Sequence, residues 1–286
     1  MANLKEIRNR IASVSSTMQI TSAMKMVSAA KLKKAQDAIT AMRPYSEKLS
    51  ELLQNLSASL DADASSKYAD QRIVKNVLLV PVTSNRGLAG AFNSNIIKET
   101  NNLISQEYKD KKVSVITIGK KANDALKKKT EILANRSDIY DDLNFDGVSE
   151  IADVLMQKFI SGEADKIVLV YNKFKNAATQ EIMVEQFLPI EPMAKDVNVN
   201  LDYIFEPEKI EIVEQLIPKS LKTQLFKAIR DSFASEHGAR MTAMHKATDN
   251  ATELRDQLKL TYNKARQASI TNEILEIVGG AEALNN

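Results

Sequence analysis

Leu4-Lys-Glu-Ile-Arg-Asn-Arg-Ile-Ala-Ser-Val-Ser-Ser-Thr-Met18 places its apolar residues at alternating steps of three and four. The same steps continue through Thr21, Lys25, Ser28, Leu32, Ala35, Ile39, Met42, Ser46, Leu49, Leu53, Leu56 and Leu60, and no glycine interrupts the run. An apolar seam of period 3.5 held this long predicts one helix of a coiled coil. At ~1.5 Å per residue it is about 80 Å long, too long to lie within a small domain. Pro44 is the one breaker, and a kink or short interruption is expected there. The seam lapses between Thr21 and Ser28, where Met24, Met26 and Val27 occupy other faces. Such a lapse marks a stutter or a second contact surface.

The other end of the chain repeats the theme. From Lys219 to Val278 there is no proline and only one glycine before the end, Gly238. Pro218 suits a first helical turn, where its missing N–H costs little. Ser235, Ala239, Ala243, Ala247 and Ala251 recur every four residues, with Gly238 alongside. Small side chains at helical spacing admit a close neighbour, and Ser22, Ala23, Ser28, Ala29 and Ala30 offer a matching stretch on the first helix. The expectation is an antiparallel pair of terminal helices. Large apolar residues return at Leu254, Leu258, Ile270, Ile274 and Ile277, and Gly279-Gly280 should weaken the last turns.

Between the helices, Val77–Val82, Val113–Ile118 and Lys166–Tyr171 read as short buried strands. Helical stretches fall near Asn93–Tyr108, Lys120–Lys128 and Ser149–Ile160, and Ile182–Ile190 adds a further strand. Alternating strands and helices predict a mainly parallel sheet with covered faces, a Rossmann-like α/β domain. Residues 61–72 read as a polar connector and 194–207 as the return link. The expected division is 1–60 for the first coiled-coil helix, 73–192 for the central α/β domain and 208–286 for the second coiled-coil helix.

Composition narrows the function. The charged residues nearly cancel, to a formal +2, which does not suit a general nucleic-acid binder. Up to Gln36, however, the first helix carries seven lysines and arginines against Glu6 alone, either a solvated face or a surface for an acidic partner. There is no cysteine, so neither disulfides nor thiolate metal sites can form. No apolar run approaches the ~18 residues of a membrane span, and the N-terminus lacks a signal-peptide pattern.

Three features invite a chemical reading. Thr83-Ser-Asn-Arg-Gly-Leu-Ala-Gly-Ala-Phe-Asn93 joins a strand to a helix, where Gly-rich loops can cradle phosphate. Its glycines are too few for a dinucleotide fingerprint, no Gly-Lys-Ser/Thr follows, and a tight structural turn is the better reading. Asp142-Leu-Asn-Phe-Asp-Gly147, with Asp153 following, approaches a calcium loop but lacks its glutamate and its entering helix. A loop capped by Ser149 explains it. His237 and His245 stand eight apart with no clustered ligands and read as solvated or interface histidines. No nucleophile and base pair up convincingly. The chain reads as a non-catalytic protein without a cofactor or metal.

Three motifs carry a family resemblance: Gln19-Ile-Thr-Ser-Ala-Met-Lys-Met-Val-Ser-Ala-Ala-Lys31, the segment Ser235–Ala251, and Tyr262–Ala281. The last holds Ile270, Thr271, Glu273, Glu276, Gly280 and Ala281 in the order seen at the end of the gamma subunits of F-type ATP synthases. The loop Ser84–Asn93 is similar to the family's Ser-Asp-Arg-Gly-Leu-Cys-Gly-x-x-Asn, departing at Asn85 and Ala89. The resemblance implies a central-stalk rotor subunit, coupling ion-driven rotation of a membrane ring to ATP synthesis or hydrolysis in a head of alpha and beta subunits. It implies alpha, beta, epsilon and the membrane c-ring as partners, no nucleic acid, and a peripheral place on the cytoplasmic face of the inner membrane. Arg266, Gln267, Thr271 and Glu273 become candidates for contact with beta, with Met24 and Lys25 beside that level on the other helix. The alternative from a different class is a Rossmann-like nucleotide-binding enzyme with coiled-coil arms.

Overall fold

The computed structural model describes residues 4–58, 67–190 and 209–284. Half of the connector at 61–72, the whole return link at 194–207, and the expected boundaries at 60, 192 and 208 lie outside them. Helix α1 spans Leu4–Ala58 and α5 spans Lys209–Leu284. The helical run continues through Pro44 without the expected interruption. Pro218 lies inside α5 rather than in its first turn, so the bond its N–H would make to the preceding turn is missing there. Gly279 and Gly280 do not end the helix, which continues to Leu284.

The chain divides into two compact units, one holding the helical ends up to Ser28 and from Met241, the other holding residues 29–240. In the first, the two helices run antiparallel. Arg8 meets Tyr262, Met18 meets Arg255 and Thr21 meets Thr248, so rising numbers on one helix pair with falling numbers on the other. Ile7, Thr21, Ser28, Met244 and Ala251 are buried. The exposed residues between them carry the charge, as an amphipathic pair requires.

The second unit is a mixed sheet covered by helices. Its strands are β1 (Asn76–Pro81), β2 (Lys112–Thr117), β3 (Glu131–Asn135), β4 (Lys166–Phe174) and β5 (Gln180–Leu188), in the order β3-β2-β1-β4-β5. The first four are parallel, and β5 runs antiparallel beside β4. Strand β1 is central and nearly all aliphatic because both its faces are covered. On one side Val77 and Leu79 pack with Ile96 of α2 (Phe92–Asn102) and with Ala122 and Leu126 of α3 (Lys120–Leu126). On the other, Leu78 and Val80 join Ile151, Leu155 and Phe159 of α4 (Phe145–Ile160) and Leu221, Leu225 and Ile229 of α5. Each fully buried aliphatic side chain contributes about 1.5–3 kcal/mol, so this sheet is the unit's main source of stability.

The sequence pattern misses β3, and it places the start of α4 four residues late. Asn144, not Ser149, caps α4: its Oδ1 accepts from Gly147 N at 2.8 Å. Ser149 lies within the helix, donating to the Phe145 carbonyl. The π-helical turn Leu103–Glu107 follows α2 directly.

Candidate functional site

Arg266, Gln267, Thr271 and Glu273 lie on a single stretch of α5 and are all exposed. Helical spacing puts Gln267 and Thr271 one turn apart, and the Thr271 hydroxyl donates to the Gln267 carbonyl at 2.9 Å. Every residue from Thr271 to Ala281 is exposed, and among them Ile277 and Leu275 expose 71% and 63% of their surfaces. The pairing register explains this. With Arg8 opposite Tyr262, Leu4, the first described residue of α1, stands at about the level of Arg266, and no described residue of the first helix reaches the last turns of α5. This helical end thus leaves large aliphatic side chains exposed.

Met24 and Lys25 are half-buried on α1. The pairing of Thr21 with Thr248 sets them beside Met244 and His245, not beside Arg266. Some twenty residues of helix at ~1.5 Å each separate the two levels, about 30 Å. The expectation of one shared level is therefore corrected. The candidates fall at two levels of the pair: Met24 and Lys25 at one, Arg266, Gln267, Thr271 and Glu273 at the other. Ile20, Met26 and Val27 stand exposed around the first, which agrees with the lapse in the seam.

In the unit of residues 29–240, the loop Thr83–Asn93 is closed around protein groups. Ser84 N donates to Asn93 Oδ1 at 2.9 Å, and the Ser84 hydroxyl donates to the Arg86 carbonyl at 2.6 Å. Leu88 and Gly90 adopt φ of 61° and 56°, which turns the chain sharply. Arg240 Nη2 then donates to the carbonyls of Arg86 at 3.4 Å and Gly87 at 3.3 Å, while its Nη1 pairs with Glu236 at 2.5 Å. These carbonyls face a guanidinium, the reverse of an amide cradle for phosphate. At the crevice between β1 and β4, Asn172 Nδ2 donates to the Phe92 carbonyl and Ser235 donates to the Asn172 carbonyl. A Cβ on Gly119, at φ 103°, would come within 2.1 Å of the Thr83 carbonyl. Protein atoms fill the place where an open α/β sheet would hold a nucleotide.

The small-residue stripe divides its work. Ser235 and Gly238 face the β4–β5 hairpin, where a Cβ on Gly238 would meet the Ala177 backbone at 3.2 Å. Ala239 packs with Ala89 and Phe92. These three do not serve the helix pair as expected. His237 is buried, so of the two readings, solvated or interface, the solvated one fails: its ring meets Phe233 edge-on at 4.5 Å, and among the described residues neither nitrogen has a hydrogen-bond partner. Burial, then the charges of Arg240 and Lys31, push its pKa down to about 3. His245 is exposed beside Asp249 at 3.3 Å. Glu236 is pushed up by burial, an effect opposed by Arg240, Lys31 and Arg86. The sequence signalled this buried pair only through its i, i+4 spacing among small residues. Asp142 accepts from Asn144, and Asp153 pairs with Lys222 at 2.9 Å, so the calcium-like run is engaged in capping and packing.

A family profile described as ATP synthase matches residues 3–284. The chain is 71% identical to the ATP synthase gamma chain of Christiangramia forsetii over 285 residues, covering 100% of both. It is 70% identical to that of Flavobacterium psychrophilum, covering 99% of each. Among solved structures, the central stalk and c-ring of Tetrahymena thermophila mitochondrial ATP synthase contains a chain with a TM-score of 0.58 and 28% identity, covering 80% of this chain and 99% of that one.

Proposed function

The chain belongs to the ATP synthase gamma-chain family, and on that premise we propose that these two levels, an inner collar at Met24 and Lys25 and an outer collar at Arg266–Glu273, are what an enclosing head grips as the shaft turns. It is a non-catalytic subunit of the central stalk, coupling rotation to catalysis in the head of alpha and beta subunits. Its other partners are the epsilon subunit and the membrane c-ring, and it sits peripherally on the cytoplasmic face of the membrane. No described helix is long and apolar enough to cross a bilayer.

The helix pair has no rotational symmetry, whereas a ring of alternating alpha and beta subunits does. Each beta subunit therefore meets a different side of the shaft, and its nucleotide affinity follows the conformation that side favours. A ligand shifts an equilibrium only through differential affinity for its states, and the shaft acts as such a ligand. In the outer collar, Arg266 and Glu273 supply charge, and Gln267 and Thr271 supply hydrogen bonds. In the inner collar, Met24 and Lys25 press on a neighbour where the seam lapses. The strand order 3-2-1-4 supports describing the central domain as Rossmann-like, with its crevice filled rather than functional. The antiparallel contacts support a coiled coil.

The observation that carries this reading is the exposed aliphatic end of α5 from Ile270 to Val278. Co-expression with alpha and beta tests it. The chain should purify with them, and the assembled complex alone should hydrolyse ATP. A wild-type chain that purifies without them, or that hydrolyses ATP by itself, contradicts the proposal.

A further inference from the structure

Strands β1, β2 and β3 lie side by side, and lysines crowd the amino end of each. Lys75 precedes β1; Lys109, Lys111 and Lys112 surround the start of β2; Lys128 and Lys129 precede β3. The register sets Asn76 opposite Lys112 and Ser114 opposite Glu131, so these lysines share one end of the sheet. With strands ~4.8 Å apart, the six charges fall within a narrow zone. All six are exposed, and among the described residues none forms an ion pair. Among the described residues the carboxylates nearby without a basic partner are Glu107, Asp110, Glu131 and Asp165, four against six, and Asp165 accepts from the backbone N–H groups of Lys75 and Asn76. Asp124 is paired with Lys127 and Glu163 with Lys158.

Lysines after a helix are expected to complement the helix dipole, which accounts for Lys128 and Lys129 behind α3. It does not account for Lys75, Lys111 and Lys112 at the starts of strands. Nor does it account for Ile73, which is 82% exposed two residues before Lys75. Lysines around a bare aliphatic residue match a surface that meets lipid headgroups.

Helix α5 shows which way this end faces. Gln224 bonds to Glu185, midway along the sheet; Ser235 bonds to Asn172 and Arg240 to Gly87, both at the carboxyl ends of the strands. Within this unit α5 thus runs to the carboxyl edge of the sheet, where Arg240 lies. The lysines occupy the opposite edge. Resting on the central-stalk reading, we propose that the sheet end formed by Ile73, Lys75, Lys109, Lys111, Lys112, Lys128 and Lys129 makes an electrostatic contact with the anionic headgroups of the bilayer around the c-ring. Such a contact holds the moving subunit near the membrane without fixing it, because headgroups exchange and the attraction has no preferred rotational position.

The soluble complex of this chain with alpha, beta and epsilon, without the c-ring, tests it by co-sedimentation with vesicles. The complex should sediment with phosphatidylglycerol-containing vesicles, not with pure phosphatidylcholine, and about 0.5 M salt should release it. Lys111→Gln/Lys112→Gln/Lys128→Gln/Lys129→Gln should weaken binding at least about tenfold. Ile73→Ser should weaken it about fivefold without changing the salt dependence. Equal binding to both vesicles, wild-type binding by the quadruple variant, or binding only when ring protein is present regardless of headgroup would overturn the proposal. Purification of the variant with alpha and beta, and ATP hydrolysis by that complex, are read alongside. If they persist while vesicle binding is unaffected, only the lipid contact fails; if the wild-type chain does not join alpha and beta, the central-stalk reading fails.

Discussion

Arg240 and Glu236 form an ion pair one helical turn apart, with side chains only 8% and 10% exposed, and the same guanidinium holds the carbonyls of Arg86 and Gly87. One side chain thus ties α5 to the loop at the carboxyl end of β1. Removing one partner of a buried pair costs about 3–5 kcal/mol, because the other charge is left in a medium that solvates it poorly. Arg240→Met should destabilise the purified chain by about that much at pH 7. Adding Glu236→Gln to it should recover part of the loss. Chemical denaturation of the two variants checks this, and additive losses would show that the pair is not coupled.

His237 sets a pH dependence. Its folded pKa is about 3 against an unfolded value near 6.5, so below pH 6.5 the unfolded chain takes up a proton that the folded chain refuses. The stability it supports is present above pH 6.5 and declines as pH falls toward 3. By pH 5 the loss is about 2 kcal/mol. Thermal unfolding of wild type and His237→Gln across pH 4.5–7.5 should give a shallower slope for the variant. Parallel slopes would assign the acid sensitivity elsewhere.

Two glycines should differ sharply in their response to alanine. At Gly119 the new Cβ meets the Thr83 carbonyl at 2.1 Å in a left-handed conformation, and Gly119→Ala should cost more than about 3 kcal/mol. At Gly238 the nearest atoms lie at 3.2 Å in a hairpin turn, and helix propensity returns about 1 kcal/mol. Gly238→Ala should lie within about 1 kcal/mol of wild type. Melting temperatures decide both.

The collar residues should separate stability from coupling. Arg266 and Gln267 are exposed, so Arg266→Ala and Gln267→Ala should change the stability of the chain by no more than about 0.5 kcal/mol. In the assembled complex each should impair ATP synthesis or assembly. Normal synthesis by both variants would remove these residues from the contact.

The long-range features of the fold were legible because they repeat. The seam from Leu4 and the aliphatic runs of β1, β2 and β4 recur often enough to outweigh local noise. Strand β3 escaped notice because its five residues alternate half-buried Ile132 and Ala134 with exposed neighbours and come one residue after Lys127–Lys129. His237 misled because burial depends on what packs across a helix, and a polar residue among small ones gives no sign of Phe233 beside it. The small-residue stripe correctly announced close packing at Gly238 but not its neighbour, since spacing carries no address. The candidate contacts with the head came from motif resemblance. Their division into two levels needed the register, which only contacts such as Arg8–Tyr262 and Thr21–Thr248 supply.

The central claim is that the two terminal helices turn as one body. Thr248 donates to Thr21 Oγ1 at 2.8 Å across 227 residues of chain, and the protein contains no cysteine of its own. A Thr21→Cys/Thr248→Cys variant in the assembled complex should therefore form a disulfide on mild oxidation and retain ATP hydrolysis and synthesis with the bond closed. Failure of that bond to form, or loss of turnover that reduction restores, would contradict a shaft whose two helices rotate together.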